Sequence, residues 1–345
     1  MGTTQLEFTA DELLADVDIA EPLVVGDTVC HGGFGDDGAY VSPRTRNRVP
    51  AIHAWQAQHE ERFGTGLIEV PLETWPGQFP NTSQARFLIS HGVPEPLMAS
   101  LTRIGTVEGF GADIRLLHPG DLQGRFDEDI TGTAVDHLDR GLFEAHGRDE
   151  AGYGDQAGHR DMWFAARDIA FEGRTAELDI DAMIERLGFG PNAKGAPGTG
   201  PRLLPDDIDP MLEIVADVMI RVLLIEVQAF HTFAWAEELL ADPNLVAGNG
   251  AAATLVSYIR ADETPHVEYL KTALTEMRDF TWIGASGAKY VGRDMIGPLW
   301  ANGLDRSLGS ARAANRKSIL GEIEYWCGQK PTGSDLLAEF HELGA

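Results

Sequence analysis

Apolar positions recur at helical spacing through most of this chain. Long amphipathic segments are predicted near 82–91, 95–117, 133–172, 207–241 and 250–277, with connectors rich in Gly, Pro and Asp between them. Residues Gly190 to Pro205, dense in Gly and Pro, are long enough for a crossover joining two helical hairpins. Residues 1–80 read differently. They offer a turn-rich run at Gly32–Gly38, a short helix at Ala51–Phe63, a strand at Leu67–Val70 and an aromatic loop at Trp75–Pro80. The glycines lack the strand–turn–helix setting of a phosphate loop, so simple turns are expected. Shorter helices are predicted in the tail at 310–326 and 334–343. The tail is expected to cover the bundle or to pair two copies as a homodimer. The division that follows is an irregular extension over 1–80, a helical bundle over 81–281 and a helical extension over 282–345.

Polar residues interrupt the apolar stripes at a few places. In 250–277 the core-facing series Leu255, Ile259, Glu263, His266, Leu270, Ala273 carries a carboxylate and an imidazole three residues apart. Glu226 falls midway along the apolar face of Val215, Val218, Met219, Val222, Ala229, Phe230 and Phe233. Glu108 breaks the stripe Leu97, Leu101, Ile104, Ala112 and is flanked by Gly105, Gly109 and Gly111. A buried ionised Glu without a partner costs several kcal/mol, roughly, or takes up a proton, and a bound cation removes that cost. Pairing with Arg221 is the plainer account of Glu226. One Glu and one Glu-x-x-His on neighbouring helices make half of a two-metal centre.

The remaining half belongs to 133–172. There Asp155-Gln156-Ala157-Gly158-His159 lines up with Asp262-Glu263-Thr264-Pro265-His266, a faint internal repeat with Gln where Glu is expected. On a regular helix, at about 100° per residue, positions 150 and 159 point about 180° apart. Asp155 with His159 is therefore the preferred pair and His146 with Glu150 the rival, unless a bulge at Gly152 or Gly154 brings Glu150 back. Replacing Glu226 is accordingly expected to weaken metal binding more than replacing Glu150.

Composition narrows the options. With 54 Asp and Glu against 27 Lys and Arg, the net charge is −27, which argues against nucleic acid or an anionic membrane as partner. Two cysteines, Cys30 and Cys327, support neither a disulfide framework nor a thiolate metal cluster. Met1–Asp18 has no secretory pattern, and the oiliest helix is interrupted by Asp217, Arg221 and Glu226, so a cytoplasmic protein is expected. Phe110, Tyr153, Trp163, Phe230, Trp235, Tyr258 and Tyr269 lie near the candidate ligands in sequence and are expected to pack the core. His231, about 140° round the helix from Glu226, is expected to line a pocket or interface.

Over residues 95–277 these features resemble the ferritin-like superfamily of di-iron or di-manganese carboxylate proteins. The resemblance implies an all-α four-helix bundle with a crossover connection. Residue by residue, Glu108 and Glu226 resemble the single Glu ligands, Glu263 with His266 a full motif, and His159 the remaining His. Asp262 resembles the Asp that hydrogen-bonds a ligand His. Asp155 takes either that outer role or, given Gln156, a ligand position. Two iron ions are implied, with manganese or a mixed Fe/Mn pair as the alternative. The implied activity is oxygen-activating oxidation of a small organic substrate, with dioxygen and an electron donor as partners. The alternatives are a non-catalytic metal-binding protein for iron handling or oxidative protection, and a scaffold with a degenerate site.

Overall fold

The computed structural model describes residues 7–172 and 201–344. In chain order these form α1 (Ala10–Leu13), β1 (Glu21–Val25), β2 (Thr28–Phe34), β3 (Tyr40–Val41), α2 (Thr45–Phe63), α3 (Thr82–Ser90) and α4 (Glu95–Gly111). There follow α5 (Phe143–Ala151), α6 (His159–Phe171), α7 (Pro210–Leu240), α8 (Ala251–Asp279), β4 (Thr281–Ile283), β5 (Lys289–Val291), α9 (Gly292–Leu308), α10 (Ser310–Gly328) and α11 (Gly333–Glu342). The fold is mainly α. It is not wholly so, because β1, β2 and β3 make an antiparallel sheet and β4 and β5 a hairpin. Most of the expected crossover, residues 190–200, lies outside the described residues.

The longest helices start and run as their sequences dictate. Asp209 caps α7 by accepting a hydrogen bond from the Met211 amide at 2.7 Å, with Pro210 at the first helical position. Along α8 the whole predicted stripe, Leu255 through Ala273, is buried, Glu263 and His266 included. α4 packs on α6, α6 on α8 and α8 on α7. α2 lies against α8, α9 against α7 and α8, and α10 against α4.

Two apolar clusters fill this assembly. One takes Leu212–Val227 of α7 and Tyr269–Met277 of α8. The other takes Phe233–Leu240 of α7, Leu255–Ile259 of α8 and Trp163 of α6. Between them along α8 lies the polar stretch Asp262, Glu263 and His266.

The structure corrects three local expectations. Residues 133–172 are not one helix. A 3-10 turn and a π segment precede α5, which ends at Ala151 with Gly152 as its cap, and α6 begins only at His159. Leu67–Val70 forms no strand: Ile68 gives its amide to the Thr275 hydroxyl at 2.9 Å instead of to a neighbouring strand. A further helix, α9, precedes the two expected in the tail, and Gly284–Gly287 forms the turn between β4 and β5.

Candidate metal centre

Seven side chains from five helices converge in the polar layer. His146, Glu150, Glu226 and His266 bring ligand atoms within 4.8 Å of one another, and Glu108, Glu150, His159 and Glu263 do the same. Glu150 belongs to both groups and divides its oxygens between them. Its Oε1 lies 3.5 Å from His146 Nε2 and 3.3 Å from His266 Nδ1, and its Oε2 lies 3.3 Å from His159 Nδ1. Glu263 spans the same gap, with Oε2 at 2.7 Å from His266 Nδ1 and Oε1 at 2.9 Å from His159 Nδ1. Glu226 Oε1 stands 3.6 Å from His146 Nε2 and 3.9 Å from His266 Nδ1. All are buried except Glu108, which is half-buried at the rim.

The break in the 133–172 segment makes this convergence geometrically available. Gly152 adopts φ +83°, and a Cβ there would lie 2.3 Å from the Gln156 carbonyl. The chain then turns through Tyr153–Gln156 and docks on β2, where Ala157 donates its amide to the Val29 carbonyl and accepts from the His31 amide. Glu150 and His159 thus sit on two differently directed helices. The 180° separation expected of a straight helix does not apply. Gly111 supplies the clearance on α4, since a Cβ there would come within 2.9 Å of Glu150 Cγ.

Each histidine points one ring nitrogen at the carboxylates and turns the other toward a polar side chain behind it. His266 Nε2 lies 2.9 Å from Asp149 Oδ2, which Arg48 approaches at 2.8 Å while Arg44 Nε donates to Oδ1 at 2.8 Å. His159 Nε2 faces Asp262 at 3.5 Å, and Asp262 accepts from the Tyr40 hydroxyl at 2.9 Å and contacts His31 Nε2 at 3.1 Å. His146 Nδ1 lies 3.1 Å from the Tyr269 hydroxyl, and its ring stacks on His266 at 3.9 Å. Such backing fixes tautomer and ring orientation in metal-binding histidines.

Electrostatics in the cluster are strained. Burial, then Glu150 and Glu263, push Glu108 well above the usual carboxylate range; burial, then Glu263 and Glu150, do the same to Glu226. Burial also acts on Glu263 and Asp149, but His159 reverses it at Glu263, and Arg48 and Arg44 reverse it at Asp149, so both lie low. Burial pulls His159 and His266 down, yet Glu263 and the other carboxylates carry both well above the ordinary imidazole value. His146 is driven well below it by burial and then by His266. Even so, His146 Nε2, both Glu150 oxygens, both His159 nitrogens and Glu263 Oε1 make no hydrogen bond of acceptable geometry. Buried polar atoms are rarely left so. Carboxylate oxygens and imidazole nitrogens gathered this closely fit a divalent cation in each group.

Of the residues singled out in the sequence, Glu108, His159, Glu226, Glu263 and His266 are brought together. Asp155 is not: it is exposed in the turn after Gly154 and belongs to neither group, because the helix that was to carry it has already ended. Gln156 lies in that same turn, out of register with Glu263. The rival pair His146 and Glu150 takes part. Arg221 pairs with Asp217 at 2.5 Å, and His231 contacts the Leu72 carbonyl at 2.9 Å away from the cluster. His31, Tyr40, Arg44 and Arg48 were not anticipated; no helical period marks them, since they come from a short sheet and the start of α2.

No helix among the described residues is long and apolar enough to cross a membrane. Set against known proteins, the chain matches no family model, no curated protein and no solved structure.

Proposed function

We propose that this chain is a ferritin-like, carboxylate-bridged two-metal oxidoreductase that oxidises a small organic substrate with dioxygen. The observation that carries the reading is Glu150, which offers one oxygen to each of two adjoining His/carboxylate groups. His146, Glu150, Glu226 and His266 would hold one cation, and Glu108, Glu150, His159 and Glu263 the other. Iron or manganese bound there supplies the capacity to reduce dioxygen with electrons from an external donor and to oxidise a C–H or N–H bond. The chain's own part is to hold the ligand nitrogens aimed inward through Asp149, Asp262 and Tyr269, and to keep water out with apolar clusters on both sides. Substrate reaches the centre past the end of α4, where Val107, Glu108, Gly109 and Phe110 are only half-buried. Gln156 gives no support to a degenerate site, because Glu150 stands where a second-helix carboxylate is needed.

Anaerobic loading with ferrous iron, followed by desalting and metal analysis, is expected to give two irons per chain and little in Glu263→Ala. Admitting air should then consume dioxygen. Iron no higher than in Glu263→Ala overturns the metal reading. Iron bound without oxygen uptake overturns the oxidase reading in favour of metal handling.

A further inference from the structure

The two groups differ in their imidazoles and in the charge of the residues behind them. The Glu108 group holds one imidazole and the Glu226 group two, while Glu150 and Glu263 each turn an oxygen toward both. Behind His159 stands Asp262, whose partners Tyr40 and His31 carry no fixed positive charge. Behind His266 stands Asp149, in contact with two buried guanidiniums, Arg44 and Arg48. Guanidinium stays protonated in proteins, so one outer carboxylate is overcompensated and the other is not. Charges a few Å from a cation inside a protein act with much less screening than at its surface.

Resting on the two-metal reading above, we infer that the two positions are unequal: the Glu108–Glu150–His159–Glu263 position fills first and binds more tightly. Residues 31–48 set the gap, with Arg44 and Arg48 as positioning residues that hold Asp149 against His266 while lowering the cation affinity beside it. The first position, with a single imidazole, prefers the harder cation, and the second, with two, the more borderline one.

Manganese(II) titration of the full chain without oxygen, with free ion followed by electron paramagnetic resonance, tests this. Two steps are expected, with dissociation constants at least about tenfold apart. Glu226→Gln should erase the weaker step and keep the tighter; Glu108→Gln should erase the tighter. Arg48→Gln should tighten the weaker step and narrow the gap, and Arg48→Lys should restore it, whereas a merely structural role for Arg48 would weaken both steps together. Two equal steps, loss of the tighter step in Glu226→Gln, or joint weakening in Arg48→Gln overturns the inference while leaving two bound ions. Folded wild-type chain that binds no manganese(II) or ferrous iron overturns the two-metal reading itself, and the inference with it.

Discussion

Glu150 is the residue on which the centre turns. Sequence geometry placed it as a rival, and the expectation was that Glu226 would matter more. Its two oxygens facing two groups reverse that order: Glu150→Ala should lower metal content in both positions, and Glu226→Ala in one. Retention of both ions by Glu150→Ala, measured after desalting, would show that Glu150 bridges nothing. The charge pattern carries a second expectation. In the cluster alone, His159 and His266 tend to keep protons, as do Glu108 and Glu226, because burial and crowding disfavour four bare carboxylates. A cation must displace those protons, so metal uptake should acidify a weakly buffered solution and affinity should rise with pH. Binding with no proton release, followed by an indicator dye, would mean the ion goes elsewhere.

Which elements could be read in advance follows from where their determinants lie. α8 was legible because its core stripe has the helical period, and Glu263 and His266 stand out as the polar members of that stripe. Glu226 and Glu108 were legible on the same ground. The break between α5 and α6 was not: the loop is fixed by Ala157 pairing with β2, a contact between segments more than a hundred residues apart, roughly, that no local period records. The same gap hid Arg44 and Arg48. Gly152 and Gly111 now test the element directly. Gly152→Ala forces a side chain into φ +83° and into the Gln156 carbonyl, and should cost about 1–3 kcal/mol. Gly111→Ala presses on Glu150 and should lower metal content more than it lowers Tm. A melting temperature within about 1 °C of wild type for Gly152→Ala would show that the break tolerates a Cβ.

The amino-terminal segment is bound into the whole molecule by polar ties as well as apolar ones. α2 reaches α8 through Gln56 to Thr272 at 3.0 Å, and again through His59, 3.1 Å from Asp279, to which Arg278 of α8 itself donates at 2.9 Å. Asp279 closes α8, an end where a negative charge meets the unfavourable side of the helix dipole. Burial adds to that cost, yet Arg278, Thr65 and His59 outweigh both, and the carboxyl is drawn down to about 2. A carboxyl whose folded value lies below its unfolded one binds fewer protons when folded. Its stabilisation is therefore fully present above the unfolded value, near 4, and is lost as pH falls through the folded one. Because Asp279 borders solvent, a contribution of about 1 kcal/mol is expected, less than the full shift would convert to. Asp279→Asn should thus be less stable than wild type at pH 6 by that amount in urea unfolding. The difference should shrink between about pH 4 and pH 2 as wild type loses the same tie. A deficit that stays constant across that range would assign the effect to the shape of Asn rather than to charge, and the Asp279 carboxylate would then add no electrostatic tie between α2 and α8.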